Sequence, residues 1–283
     1  MEQSAENTSL LVPKKKRVWE LDFLRGLAVI LMCFDHLMWD FVYLPWWFSN
    51  YKQVHNPFIE RMVNLCNAIC DSAFRFWMHY IFVFVFLFLV GTSCAFSRDN
   101  IRRGAGLGVF ALAFTGVTFI LKAMGVLEYG IIFGILDCIA LSILCAAAVD
   151  IATKGFKPLN VYAPLALGVL IIALGISKQF WMVGEIYFDY EFNASHLIGY
   201  IMGTNAFGDD WFGLFPYVGA VLMGVYWGKA AYSSRESLLP MLDGKWNKPF
   251  RFVGRHALIF YAAHQALLSG LVALLCLILG YRF

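Results

Sequence analysis

The chain has 283 residues, of which 60% are hydrophobic, 17% aromatic and only 14% charged. Soluble domains run at roughly 45–50% apolar and about 25% charged, so this composition excludes a soluble globular domain, a disordered chain and a nucleic-acid-binding module. The net charge of +3 says little as a total, because in a membrane protein the placement of the 22 Lys and Arg residues carries the information.

Residues 1–19 form a polar, basic stretch ending in Lys14-Lys15-Lys16-Arg17. It reads as a cytoplasmic tail, not a cleaved signal, because Asp22 and Arg25 follow at once. A bilayer core of about 30 Å needs about 20 apolar residues per helix. Seven runs meet that length, at 21–43, 74–97, 104–122, 130–150, 161–178, 211–230 and 257–280. They predict an all-α polytopic membrane protein, with residues 20–283 as a single transmembrane domain.

Alternating the runs across the bilayer with the N-terminus inside puts fifteen Lys and Arg on the inner side and six on the outer. The positive-inside rule then favours a cytoplasmic N-terminus and an extracytoplasmic C-terminus. After the first run, Asn56-Pro57 is a helix-start pair. Phe58, Ile59, Met62, Leu65, Cys66, Ile69 and Ala73 then recur at helical spacing and predict an amphipathic helix on the outer face. The connection at 179–210 holds Glu185, Asp189, Glu191, Asp209 and Asp210 among aromatics, and reads either as a sugar-like ligand surface or as a solvated loop.

Glycine pairs four apart, Gly104/Gly108, Gly130/Gly134, Gly199/Gly203 and Gly224/Gly228, predict close helix packing. The seven cysteines lie mostly in apolar runs and suggest no disulfide framework. Cys66 and Cys70 lack further ligands at suitable spacing, so no metal site is expected.

The first run is unusual in carrying Asp22, Arg25, Asp35, His36 and Asp40. Each charge at the bilayer centre costs about 2.5–3.5 kcal/mol on insertion scales, so these groups are expected to face protein or a watery cavity. Arg25 and His36 are eleven residues apart, which on a helix is about 16 Å along the axis and within about 20° of one face. Arg25 then sits near the cytoplasmic mouth and His36 near the midplane. Arginine suits phosphate oxygens, and histidine suits taking a proton near neutral pH.

Asp40, one turn beyond His36, is placed to orient or charge-stabilise its ring, and Asp22 to hold Arg25. The bland reading makes Arg25 a lipid-headgroup contact and His36–Asp40 a packing pair. A rival functional reading is a transporter whose proton or ion path runs through Asp22, Asp35, His36 and Asp40. Arg251, Arg255 and His256 stand at the start of the seventh run, either as a basic rim for an anionic ligand or as the positive-inside rule at work. His264-Gln265, Asp137 and Asp210 are further candidates at or near membrane depth.

Several stretches in order resemble the transmembrane acyltransferase superfamily, and in particular bacterial relatives of heparan-α-glucosaminide N-acetyltransferase. They are Arg17-x-Trp-Glu-Leu-Asp-Phe-Leu-Arg-Gly26, Phe88-Leu-Val-Gly-Thr-Ser-Cys94 and Phe133-Gly-Ile-Leu-Asp137. Asp210-Trp-Phe-Gly-Leu-Phe-Pro-Tyr-Val-Gly219 and Gly254-Arg-His-Ala-Leu-x-x-Tyr-x-x-His-Gln265 complete the series. Arg25-x10-His36 also matches the arginine–histidine pair of acyltransferase-3 proteins. Position 137 is Asp where many relatives carry His.

The resemblance implies a multi-pass protein of a bacterial inner membrane that moves an acyl group, usually acetyl, from cytoplasmic acyl-coenzyme A to a carbohydrate acceptor outside. It implies no tightly bound cofactor. In that scheme Arg25, Asp22, Arg255 and Arg251 serve the coenzyme A phosphates. His36 is base or acyl relay, with Asp40 and Asp35 beside it, and Asp210, His264, Gln265 and Asp137 face the acceptor. His55 and His79 compete with His36, which is preferred because it alone has an arginine half a membrane below it.

Overall fold

The computed structural model describes residues 17–127, 129–181, 188–189, 191–208 and 210–283. The long elements are α1 (Trp19–Trp47), α3 (Ala73–Cys94), α4 (Asn100–Ala123), α5 (Ile135–Thr153), α6 (Lys157–Trp181), α8 (Leu214–Ala231) and α10 (Ala257–Ile278). Shorter helices α2 (Pro57–Cys70), α7 (Leu197–Met202) and α9 (Lys248–Arg255) lie between them. A two-residue parallel bridge joins β1 (Phe188–Asp189) to β2 (Ala206–Phe207). The protein is an all-α polytopic membrane fold.

Among the described residues six helices are long and apolar enough to cross a bilayer: α1, α3, α4, α5, α6 and α10. The remaining predicted span became α8, an 18-residue helix diluted by Tyr217, Tyr226, Trp227, Lys229 and three glycines. Its position explains the composition. α8 runs through the middle of the bundle, packed by α3, α5 and α6, so most of its surface meets protein instead of lipid. Val218, Ala220, Val221, Leu222 and Val225 are buried there against Leu87 and Val90 of α3 and Ile139 and Ile143 of α5.

Two helix crossings bring backbone against backbone. A Cβ at Gly91 of α3 would overlap the Val221 carbonyl oxygen of α8, and one at Gly224 the Phe88 carbonyl oxygen of α3. At the start of α1 the arrangement repeats: a Cβ at Gly26 would overlap the Phe250 carbonyl, and one at Gly254 of α9 the Asp22 carbonyl. Of the glycine pairs read from the sequence, Gly224/Gly228 packs α8 on α3, and Gly104/Gly108 packs α4 on α5. Gly130/Gly134 lies in the turn before α5, and Gly203 ends α7 at φ 97°, so those two spacings do not sit within one helix.

The helix after Asn56 is present, with the Asn56 Oδ1 accepting from the Phe58 and Ile59 N–H groups. Its apolar face is turned toward protein: Ile59, Val63 and Cys66 are buried against Phe41, Val42 and Leu44 of α1 and Val272 and Cys276 of α10. α2 therefore covers the C-terminal ends of α1 and α10. All seven cysteines are free.

Candidate functional site

The opening motif, residues 17–26, fastens three distant segments to the start of α1. Trp19 donates its indole N–H to the Leu239 carbonyl (3.2 Å). Glu20, only 4% exposed, accepts from the Leu238 N–H (2.7 Å) and the Ser237 hydroxyl (2.9 Å). Arg25 donates to Asp22 Oδ1 (3.1 Å), and its other terminal nitrogen to the Ser93 hydroxyl of α3 (2.8 Å). Asp22 also receives Arg255 Nε at 3.3 Å and lies 3.9 Å from Arg17. Arg103 is within electrostatic range of Arg25 and donates to Cys94 Sγ at 3.7 Å.

Arg17, Arg25 and Arg255 thus gather around the Asp22 carboxylate at this end of the bundle, with Arg103 within electrostatic range of Arg25. The excess positive charge suits a polyanionic ligand. Arg251 lies apart from this cluster, bonded to Asp243 (2.7 Å) and Asn247. A cavity of about 70 Å³ nearby is lined by Cys94, Ser97, Asn100, Asp150 and Lys229 among others.

Three turns further along α1, the His36 ring meets His264 of α10 edge to face, with centroids 4.8 Å apart. His36 Nδ1 lies 2.9 Å from the Met32 carbonyl, and His264 Nδ1 lies 2.7 Å from the Tyr261 carbonyl. A carbonyl only accepts, so these contacts assign the proton of each neutral ring to Nδ1 and leave the Nε2 lone pairs for chemistry. His264 Nε2 is buried and has no partner.

Asp40 does not hydrogen-bond the His36 ring. Its Oδ1 accepts from Gln265 Nε2 and Ser269 Oγ, both at 2.9 Å, which ties α1 to α10. Its second oxygen is buried without a partner. Gln265 therefore acts at the helix interface, one residue from His264.

Asp35 points to α3, where Arg75 engages both carboxylate oxygens (Nε–Oδ1 2.7 Å) and His79 Nδ1 stands 3.6 Å away. Arg75 also lies over the Trp39 ring, 5.4 Å from its centroid. Asp35 and His36 thus serve different faces of α1. His55 is exposed and contacts Glu60 at 3.3 Å. The Asp137 carboxylate accepts from the Gly134 N–H (3.1 Å) and caps α5. The predicted fourth span starts five residues late because Gly130–Gly134 forms a turn, with Phe133 at φ 55° and its carbonyl accepting from the Phe212 N–H (3.1 Å). Asp137 and Asp210 are both within electrostatic range of the Tyr261 hydroxyl on α10. Tyr261, one turn before His264, joins the acidic pair to the histidine pair.

Of the acidic connection, Glu185 and Asp209 lie outside the described residues. Asp189 accepts from the Tyr200 hydroxyl and contacts His196 Nδ1, each at 2.6 Å. The Trp211 indole in turn donates to the Tyr200 carbonyl (2.8 Å). The Tyr200 hydroxyl first, and His196 second, hold the Asp189 carboxyl below the usual carboxylate range. A depressed carboxyl contributes stability that is full above its unfolded pKa of about 4 and is lost as pH falls through its lower folded value. Amide exchange at 197–203, corrected for intrinsic rates, is therefore expected to lose protection only below about pH 4. Asp189→Asn should lower that protection already at neutral pH. Equal protection in both proteins at pH 7 would remove Asp189 as the anchor.

Sequence reasoning passed over Ser93, Glu20, Tyr261 and Ser269. Glu20, Ser93 and Tyr261 stand within the motifs that carry the family resemblance, and Ser269 stands one turn after Gln265, where helical spacing is the available signal. Among the described residues no group of three or more His, Cys, Asp or Glu side chains is arranged to hold a metal ion.

A family model described as heparan-alpha-glucosaminide N-acetyltransferase, catalytic, matches residues 17–66 and 53–266. No match is found among curated proteins or solved structures.

Proposed function

Because the chain belongs to the heparan-alpha-glucosaminide N-acetyltransferase catalytic family, we propose that it is a membrane acetyltransferase taking its acyl group from cytoplasmic acyl-coenzyme A. The acceptor in this reading is a carbohydrate amine or hydroxyl reached from the other face. The observation that carries it is that α1 brings Arg25 into a guanidinium cluster at one end and presents His36, paired with His264, three turns further in. The seven-span count, with N-terminus inside and C-terminus outside, belongs to the same proposal and rests on α8 as a core span and on the charge asymmetry. So does a bacterial inner-membrane location.

Arg25, held by Asp22 and Ser93, and Arg255 bind donor phosphates. Asp22 fixes the direction of both guanidinium groups. Arg251, engaged by Asp243, sits further out on the rim and meets the donor only on approach. His36 Nε2 is presented to the acyl carbon as nucleophile or as base, and Asp40 braces the wall opposite. Asp210, Asp137 and Tyr261 line the approach of the acceptor, with His264 and Gln265 beside them. Asp35 acts through its ion pair with Arg75, which sets the α1–α3 spacing.

The test is transfer of labelled acetyl from acetyl-coenzyme A by the purified protein in nanodiscs. Arg25→Ala is expected to raise the donor KM about 10- to 100-fold, the equivalent of about 1.5–3 kcal/mol for charge-assisted hydrogen bonds. Arg25→Lys should recover little, because an ammonium cannot span Asp22 and Ser93 as the guanidinium fork does. An unchanged KM in Arg25→Ala would sink the donor site. The transporter reading is not favoured by the family, and predicts solute flux in proteoliposomes without coenzyme A.

A further inference from the structure

Once the Nε2 of His36 carries an acyl group, that ring has no lone pair left. Its Nδ1–H is committed to the Met32 carbonyl, so His36 is then unable to take the proton of the attacking acceptor. A second base is required, and it must stand against the same ring. His264 stands there: it is 9% exposed, its ring meets His36 with centroids 4.8 Å apart, and its proton is held at Nδ1 by Tyr261. Its Nε2 is buried with nothing to bond. A buried acceptor left empty costs about 1–3 kcal/mol, which is accounted for if it is filled during turnover.

We propose that His264 is the proton-taking base of the second half of the transfer, with His36 as the acyl carrier. This rests on the acyl transfer proposed above. In the first half, the His36 Nε2 lone pair forms the N–C bond to the thioester carbonyl carbon. The C–S bond breaks, and its electron pair leaves on the coenzyme A sulfur. His36 becomes an acylimidazolium, whose positive charge is offset by Asp40, already within electrostatic range.

In the second half, the acceptor oxygen or nitrogen attacks the acyl carbon. The C–N bond breaks, its electron pair returns to His36 Nε2, and the acceptor's proton passes to His264 Nε2. The His264 imidazolium then releases that proton to water. The sum is acyl thioester plus acceptor giving acylated acceptor, coenzyme A thiolate and one proton. Two imidazoles in contact do not both hold positive charge easily in a low-dielectric site, so the second half discharges His36 as it charges His264.

The two halves separate experimentally. The first is read as exchange of labelled coenzyme A into acetyl-coenzyme A with no acceptor present. The second is read as acetyl transfer to glucosamine, which must lose a proton to become acylated, and to hydroxylamine, which attacks acylimidazoles without help from a base. His264→Gln is expected to keep exchange within about twofold and hydroxylamine transfer within about threefold. It should lose about 10²- to 10⁴-fold of glucosamine transfer, the usual weight of a general base, and accumulate acyl-enzyme.

Wild-type glucosamine transfer in His264→Gln, or loss of both acceptors in parallel, would overturn the role of His264. In the wild type, deuterated solvent should slow glucosamine transfer and leave exchange alone, which tests the proposal without any variant. Equal slowing of both would also overturn it. Absence of exchange in the wild type would instead overturn the acyl-carrier reading of His36 on which the proposal rests.

Discussion

His36→Ala is expected to lower acetyl transfer by about 10³-fold or more while leaving donor affinity within about twofold. The two effects separate because the residue lies about 16 Å along α1 from Arg25, where the donor's charge is held. The Met32 carbonyl fixes the His36 tautomer, so the loss comes from one defined lone pair and not from a change in packing. His55→Ala and His79→Ala are the matched comparisons. His55 is exposed beside Glu60, and His79 stands next to the Asp35–Arg75 pair. His55→Ala should keep at least about half of the wild-type rate, since surface changes away from such a site usually matter little, and so should His79→Ala, because Arg75 already engages both oxygens of the carboxylate that His79 touches. Full activity in His36→Ala, with the protein inserted at normal levels, would refute the assignment, and loss in His55→Ala would move it.

A large effect on folding is expected at Gly254. A methyl group there overlaps the Asp22 carbonyl oxygen, and neither backbone has a side-chain rotamer to yield. Gly254→Ala should destabilise the α1–α9 contact by about 3 kcal/mol, the upper part of the usual overpacking range. Donor binding should fall with it, because Asp22 and Arg255 sit on the two sides of that contact. Gly270→Ala, where an added Cβ meets nothing within 4 Å, is the control. Thermal unfolding in detergent should place Gly270→Ala at or slightly above wild type and Gly254→Ala well below it. Similar midpoints for the two variants would mean that the crossing is not as tight as the backbone requires.

The class of fold was legible because a bilayer imposes a length and a polarity on each spanning segment, and those survive in composition alone. For that reason the run at 257–280 coincides with α10 to within two residues, and the run at 21–43 lies within α1, which extends beyond it at both ends. α8 was found as a run, but its burial was not foreseen, since a core helix in lipid is marked by small residues and tyrosines that hydropathy treats as dilution. The start of α5 was misplaced because Gly130–Gly134 is apolar enough to read as membrane while its backbone turns. At the site, the Arg25–Asp22 contact follows from helical periodicity. The His36–His264 pair does not, because contact between helices 228 positions apart is set by packing and leaves no mark in local spacing. Asp40 shows the same limit. Its one-turn spacing from His36 suggested an intrahelical partner, and the side chain instead crosses to Gln265 and Ser269.

The two glycine crossings also limit how the bundle moves. Helices in backbone contact have no side-chain layer over which to slide, so α1 against α9, and α3 against α8, pivot about those points without shearing. Gly26 and Gly91 lie toward the same end of the bundle, the end that carries the guanidinium cluster. Gly175 packs α6 against Pro216 toward the opposite end, which leaves α8 as a post fastened at both extremities. Beyond Asp40 the residues that follow α1 are tied back to the end of α10, with the Ser49 hydroxyl donating to the Arg282 carbonyl, Asn50 Nδ2 to the Gly280 carbonyl, and the Phe48 ring against Tyr281, so α1 is pinned at that end as well and the bundle has little freedom to splay.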